Sequence, residues 1–383
     1  MSLTPELLNE TTAFLNALLA HCETHLASDI HLCVGLAPRF RVQGVLRPVA
    51  DYGLARPALI EASGLLLAAT TIPPTETDPL SAARRTLLAD GSVDGATSSP
   101  AGHRYRFNVY RENGSTAVAL RRLDDRFLSL EELGLPPQLA DFCTLPDGLV
   151  VVTGSTGSGK STTLATLIEQ INLTRDGHII TIEDPVEYVH QSHRSLVHQR
   201  QIGRDATSFN AALVESLRQD PDVILVGEIR ELETIRTAIT AAETGHLVFT
   251  TLHAGDCVGA IERLVSVFPS GEQEGIRRQL SLVLRGIFAQ HLLPPAKAGD
   301  RRVACGELLL VTSAIANLIA TGKSQQIYSA IETGGSQGMQ TLDQALARLL
   351  SAGRISEQTA SAMTRNPALL KDWLRAENGR RRP

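Results

Sequence analysis

Apolar positions along this chain change their spacing twice, and each change marks a different kind of structure. Over residues 4–27, Leu7, Leu8, Phe14, Leu15, Leu18 and Leu19 recur at helical spacing and predict an amphipathic first helix. Ile30 to Val34 and Arg39 to Val42 predict two short strands around a Gly-Leu-Ala-Pro turn. Helical spacing returns over 57–69, whereas 91–102, rich in Gly, Ser, Ala and Pro, reads as a loop. Tyr105 to Tyr110 alternates as a half-buried strand should, and a second strand, Ala117 to Leu123, follows the hairpin-type turn Glu112-Asn113-Gly114. These signals predict a small α+β domain over residues 1–128, then a linker over 129–137 that ends in two prolines.

Beyond the linker the pattern is different. Gly148 to Thr153 is a near-continuous β-branched run, as expected of a strand buried on both faces of a parallel sheet. Similar runs recur at His178 to Ile182, Val223 to Val226 and Leu247 to Thr251, separated by stretches long enough for helices. That alternation predicts an α/β domain with a central parallel sheet over 138–383, and from Glu272 onward the spacing looks mostly helical.

Composition narrows the picture only a little. A length of 383 residues, 43% hydrophobic and 20% charged, suits a folded chain of two or three domains. A net charge of −5 and 4% aromatic content argue against a nucleic-acid translocase, which needs a basic channel or stacking platforms. The basic runs Arg301-Arg302 and Arg380 to Arg382 read as solvated surface. Five scattered cysteines show no metal or redox spacing and read as reduced core thiols. No stretch has the apolar length of a membrane span, so a membrane role is expected only through a partner.

The candidate chemistry begins at Gly154-Ser155-Thr156-Gly157-Ser158-Gly159-Lys160-Ser161, followed by Thr162 and a helical segment. Glycines let backbone amides curl around a phosphate, and the following helix directs its N-terminus at the anion. Lys160 is expected on the β- and γ-phosphates of ATP and Ser161 on Mg²⁺. Glu228 ends an apolar strand after Gly227, in the place of a carboxylate that polarises water or holds magnesium through water. Glu183 and Asp184, with Glu187, form an acidic cluster where Pro185 stops another strand; Glu183 is expected to orient attacking water. His246 and His253 bracket a strand, where a neutral imidazole can sense phosphate or bond a carboxylate. Arg104, Arg106, Arg111, Arg121 and Arg122 crowd the first domain, and arginine neutralises charge on a transferring phosphoryl group.

Taken together these segments resemble the hexameric type II/IV secretion ATPases, and within them the pilus-retraction, PilT-like branch associated with twitching motility. Ala27 to Leu32 and Arg41 to Gly44 look like that family's PAS-like N-terminal domain. Thr153 to Thr163 resembles its Walker A loop and Thr181 to Glu187 its aspartate box. Val223 to Arg230 is similar to its atypical Walker B, and Gly245 to His253 to its histidine box. Ala330 to Asp343 resembles a segment typical of the retraction branch. The resemblance implies a RecA-like P-loop ATPase domain, a cytoplasmic homohexamer and docking on an inner-membrane pilus platform protein. It further implies Arg106, Arg111 and Arg121 as arginine fingers, Glu228 as the catalytic carboxylate and His253 as nucleotide sensor. Three positions depart from it: Ala316 and Ala320 stand where the branch carries arginines, and Asn113 stands where relatives often have one. A divergent paralogue, the ATPase of a type II or type IV secretion machine, and a nucleotide-dependent regulatory ring with little turnover are the alternatives.

Overall fold

The computed structural model describes residues 3–380 except 43, 124, 125 and 298. Gln43 of the Arg41 to Gly44 segment, and Arg381 and Arg382 of the basic tail, therefore lie outside the described residues. The chain forms two compact units. One holds the chain up to Arg126 with Glu183–Val189 and Gln199–Ser208; the other holds Phe127–Ile182, His190–His198 and the chain from Phe209 onward.

In the first unit, α1 (Pro5–Thr24) starts where the Thr4 hydroxyl accepts the Leu7 N–H and Pro5 occupies the first turn. Its buried positions Thr11, Leu15, Leu18, Leu19 and Cys22 keep the 3.6-residue period. Six antiparallel strands follow: β1 (Asp29–Leu32), β2 (Arg39–Val42), β3 (Val45–Pro48), β4 (Ser92–Ser98), β5 (Arg104–Glu112) and β6 (Ser115–Arg122), in the order β3-β2-β1-β6-β5-β4. Two helices, α2 (Pro57–Ala69) and α3 (Pro79–Asp90), complete the unit. Its core joins Leu18, Ile30, Ile60, Phe107 and Leu120. The β5–β6 turn has Asn113 at φ 47° and Gly114 at φ 80°, as a tight hairpin requires.

One expectation fails here. Residues 91–102 are not a loop, since Ser92–Ser98 pair with Arg104–Tyr110 as the edge strand β4. Its glycine is a packing requirement: a Cβ on Gly95 would stand 2.4 Å from Phe107 Cζ and 2.5 Å from Thr71 Cγ2. Small residues that resemble a loop are what this strand needs to lie against an aromatic core.

The second unit carries a seven-stranded sheet: β7 (Gly148–Thr153), β8 (His178–Glu183), β9 (Leu196–Gln201), β10 (Val223–Val226), β11 (Leu247–Leu252), β12 (Leu284–Leu293) and β13 (Val303–Leu310). The order is β13-β12-β7-β11-β10-β8-β9. From β12 to β8 the neighbours run parallel, and β13 returns antiparallel to β12. Every position of β7, β10 and β11 is buried, which accounts for their unbroken apolar runs. The helices in chain order are α4 (Leu130–Leu133), α5 (Lys160–Thr174), α6 (Phe209–Ser216), α7 (Leu232–Glu243), α8 (Cys257–Ser266), α9 (Gln273–Val283), α10 (Ser313–Ala320), α11 (Gln325–Thr333), α12 (Leu342–Ser351), α13 (Glu357–Met363) and α14 (Pro367–Arg380).

Two segments read differently from their sequence pattern. The stretch 129–137 contains α4, closed by a capping box in which Ser129 and Glu132 satisfy each other's backbone N–H, with Leu130 and Leu135 buried. The mostly helical reading after Glu272 holds for α9 to α14, but Leu284–Leu293 and Val303–Leu310 pair as the antiparallel strands β12 and β13. A strand buried on both faces carries the same continuous apolar run as a buried helix, so spacing alone does not separate them. Four of the five cysteines are buried and all are free thiols.

Candidate active site

The C-terminal ends of parallel strands are where an open α/β sheet presents its ligand site, and the loops leaving β7, β10 and β11 meet there. Gly154–Gly159 leaves β7 with glycines at φ 147° (Gly154), 77° (Gly157) and 92° (Gly159), conformations closed to other residues. Gly159 caps α5, so Lys160, Ser161 and Thr162 form its first turn. Ser155, Thr156, Gly157 and Ser161 are exposed, whereas the Ser158 hydroxyl is buried without a hydrogen-bond partner. The Lys160 ammonium donates to the carbonyls of Gly154 at 3.0 Å and Ser155 at 3.1 Å. Curled amides, a helix N-terminus and an adjacent ammonium make an anion cradle.

Beside it, Glu228 and His253 come together. Glu228 lies two residues past β10 and His253 one residue past β11, and these strands are neighbours. Glu228 Oε2 is 2.7 Å from Arg230 Nη2 and 3.7 Å from His253 Nε2. His253 is held below the usual imidazole value, first by burial and then by the positive charges of Lys160 and Arg230, against the pull of Glu228. Its ring is therefore neutral at pH 7 and able to accept or donate one proton at Nε2. That Lys160 acts on His253 joins the two halves of the site electrostatically.

The acidic cluster ends β8. Glu183 Oε1 accepts from Gln199 Nε2 at 3.2 Å; Asp184 is exposed and joined to Pro185 by a cis peptide bond. In the first unit, Arg106 and Arg121 face each other across β5 and β6 on the outward side. Arg106 reaches to 3.8 Å from Glu187 and Arg121 donates to Asp29 at 2.8 Å.

Two expected residues fall elsewhere. His246 precedes β11 and so lies at the opposite end of the strand from the phosphate loop, about 20 Å away by strand rise. Its Nδ1 lies 2.9 Å from the Ala241 carbonyl, so it closes the turn after α7 and does not reach nucleotide bound by its own chain's loop. Arg111 pairs across from Thr116, in the inward parity of β5, and its guanidinium donates to Gly114 O at 2.8 Å in the hairpin turn. It therefore does not stand with Arg106 and Arg121.

Some bonds at the site were signalled by no motif. The Thr153 hydroxyl bonds the Ala254 carbonyl at 2.9 Å and receives the Ala254 N–H at 2.8 Å, tying the start of the phosphate loop to the segment bearing His253. Gln290 of β12 accepts the Thr163 hydroxyl at 2.6 Å. Glu307 of β13 accepts the Cys257 N–H at 2.9 Å where α8 begins. Arg302, expected as plain solvated surface, donates to Gly157 O at 3.2 Å. The signal for Gln290 was an amide beside His291 within the otherwise apolar stretch from Ile287 to Leu293.

The model of the Type II/IV secretion system protein family matches residues 8–354, spanning both units. The chain belongs to that family. It is 41% identical over 362 residues to the "Type IV pilus retractation ATPase PilT" of Pseudomonas aeruginosa, covering 92% of this chain and 98% of that protein. It is 46% identical over 274 residues to a "Twitching motility protein" of Neisseria gonorrhoeae, covering 72% of this chain and 73% of that protein. A solved structure titled "Crystal Structure of the Pilus Retraction Motor PilT and Bound ADP" superposes with a TM-score of 0.83 at 40% identity, covering 93% of this chain and 98% of that one. The chain is thus a PilT-like secretion ATPase with an α/β nucleotide-binding fold.

Proposed function

We propose that this chain is an ATP-hydrolysing motor that powers type IV pilus retraction and twitching motility. The observation that carries the reading is that the phosphate loop leaving β7 and the Glu228–His253 pair stand at the C-terminal ends of neighbouring strands. Likeness over nearly the whole length of a pilus-retraction ATPase supports the task. In this reading the amides of Gly154–Gly159 and Lys160, Ser161 and Thr162 hold the phosphates. Glu228 takes the proton of the attacking water, Glu183 orients that water with Asp184 behind it, and neutral His253 senses the bound phosphate. Ser161 fits Mg²⁺ with its exposed hydroxyl at the helix start. Among the described residues no group of three His, Cys, Asp or Glu stands ready for a metal, so phosphate and water would complete the shell, with Glu228 bonding through water. When bound, the ion offsets charge on the transferring phosphoryl group.

The same reading places six copies in a ring in the cytoplasm on an inner-membrane platform protein, with Arg106 and Arg121 as arginine fingers and a PAS-like first unit. Among the described residues no helix is long and apolar enough to cross a membrane. Phosphate release from Mg-ATP tests the chemistry. Lys160→Ala is expected to lose both binding and turnover, and Glu228→Gln to bind ATP while turnover falls at least about 100-fold. Undiminished turnover in Glu228→Gln would remove that carboxylate from the mechanism. A second reading, a regulatory ring with little turnover, draws on Ala316 and Ala320, one turn apart on α10 where the retraction branch carries arginines. Ring formation with nucleotide but no phosphate release by the wild-type chain would favour it.

A further inference from the structure

The proposed nucleotide chemistry makes no use of β12, one of the two strands that flank β7. Yet β12 runs parallel to β7 up to the pair Ala289–Thr153, and the next residue on each strand is Gln290 and Gly154. Gln290 is 3% exposed, and most buried side-chain amides are hydrogen-bonded. Its Oε1 takes the hydroxyl proton of Thr163, itself fully buried in the first turn of α5, at 2.6 Å. Its backbone carbonyl lies 2.3 Å from where a Cβ on Gly154 would stand, and its Nε2 lies 2.9 Å from the same point on Gly159. One side chain and its backbone therefore touch both ends of the phosphate loop and the helix that the loop feeds.

We propose that Gln290 is a positioning residue for nucleotide binding: it clamps the phosphate loop between β12 and the first turn of α5 through Thr163. The proposal rests on the nucleotide reading of the loop. The amides that wrap a phosphate work only if their directions are fixed before the ligand arrives, because ordering them on binding costs affinity. Gln290 fixes the entry of the loop by contact at Gly154. It fixes the exit by contact at Gly159 and by the bond to Thr163. It touches no substrate itself. Because the loop holds phosphate in both ground and transition states, loosening it weakens binding more than it slows the chemical step.

The test is a double-mutant cycle on MgADP affinity and ATP hydrolysis by the full-length chain, using Gln290→Leu, Thr163→Val and the double variant. Each single variant is expected to raise the MgADP Kd and the ATP KM about tenfold, with kcat changed by less than about threefold. The double variant is expected to bind about as a single variant does, because both remove one bond. Thr163→Val conserves volume and reports on the bond even if Gln290→Leu fails to fold. Wild-type Kd in Thr163→Val, or strictly multiplicative effects in the double variant, overturns the proposal and leaves Gln290 a packing residue. Failure of the wild-type chain to bind MgADP would instead strike the nucleotide reading beneath it.

Discussion

Glu307 shows how much of this site rests on side chains that sequence motifs pass over. It is 2% exposed, one carboxylate oxygen accepts the Cys257 N–H, and the other is buried with no hydrogen-bond partner. Burial holds its carboxyl above the usual glutamate value, with the Cys257 N–H opposing. The folded chain therefore keeps the proton more tightly than the unfolded one. A raised folded value means a contribution to stability that is complete below the unfolded value of about 4.5 and is lost as pH rises through the folded one. Glu307→Gln keeps the acceptor for Cys257 and removes the titration. Its melting temperature is expected to depend less on pH than that of the wild type above about pH 4.5, the gap closing toward acid. Parallel curves from scanning calorimetry would refute the assignment. Neither Glu307 nor Gln290 was legible as functional in the sequence. Glu307 is the one charged residue of β13, Gln290 sits beside His291 in β12, and what each bonds is set by tertiary contact. That Lys160, Glu228 and His253 stand at loop and strand ends was legible because such positions are written locally.

At the scale of elements, the strands that sequence patterning found are those with a signal of their own. β7, β10 and β11 are apolar throughout, and β5 alternates buried and exposed positions. β4 was hidden by its small residues and the β12–β13 hairpin by its resemblance to a buried helix. The edge strand is also where packing is least forgiving. A Cβ on Gly95 meets the Phe107 ring and Thr71 at under 3 Å, and Phe107 is itself 1% exposed, so the ring has no free space to enter. Gly95→Ala is expected to destabilise the first unit by about 1–3 kcal/mol, read as a lower urea midpoint with unchanged slope. Phe107→Leu in the same chain should recover part of the loss by vacating the ring's edge. A Gly95→Ala midpoint equal to wild type would mean that β4 moves aside freely and that its glycine is not a packing device.

At the scale of the whole molecule, the question is whose arginines serve whose phosphate loop. Arg106 and Arg121 stand opposite each other across β5 and β6, a like-charge pair that costs stability unless acids offset it. Arg121 is committed to Asp29, which also faces Arg41, so its removal would disturb the first unit. Among the described residues Arg106 has the longer contact to Glu187 alone, and its side chain is 46% exposed. It is the better probe. If six copies form a ring with head-to-tail interfaces, an arginine of one copy can complete the loop of the next. Arg106→Ala should then bind ATP but hydrolyse it at least about tenfold more slowly. Mixing it with Lys160→Ala separates the arrangements. If the arginine acts on a neighbour's loop, randomly mixed rings in equal parts bring an intact loop and an intact arginine together at about a quarter of the sites, and activity returns. If it acts within its own chain, every subunit lacks one of the two parts and no site is whole. Activity in mixed rings, measured against each variant alone and against unmixed rings of both, decides between them. Absence of recovery in rings shown to be mixed would rule out the neighbour arrangement for Arg106.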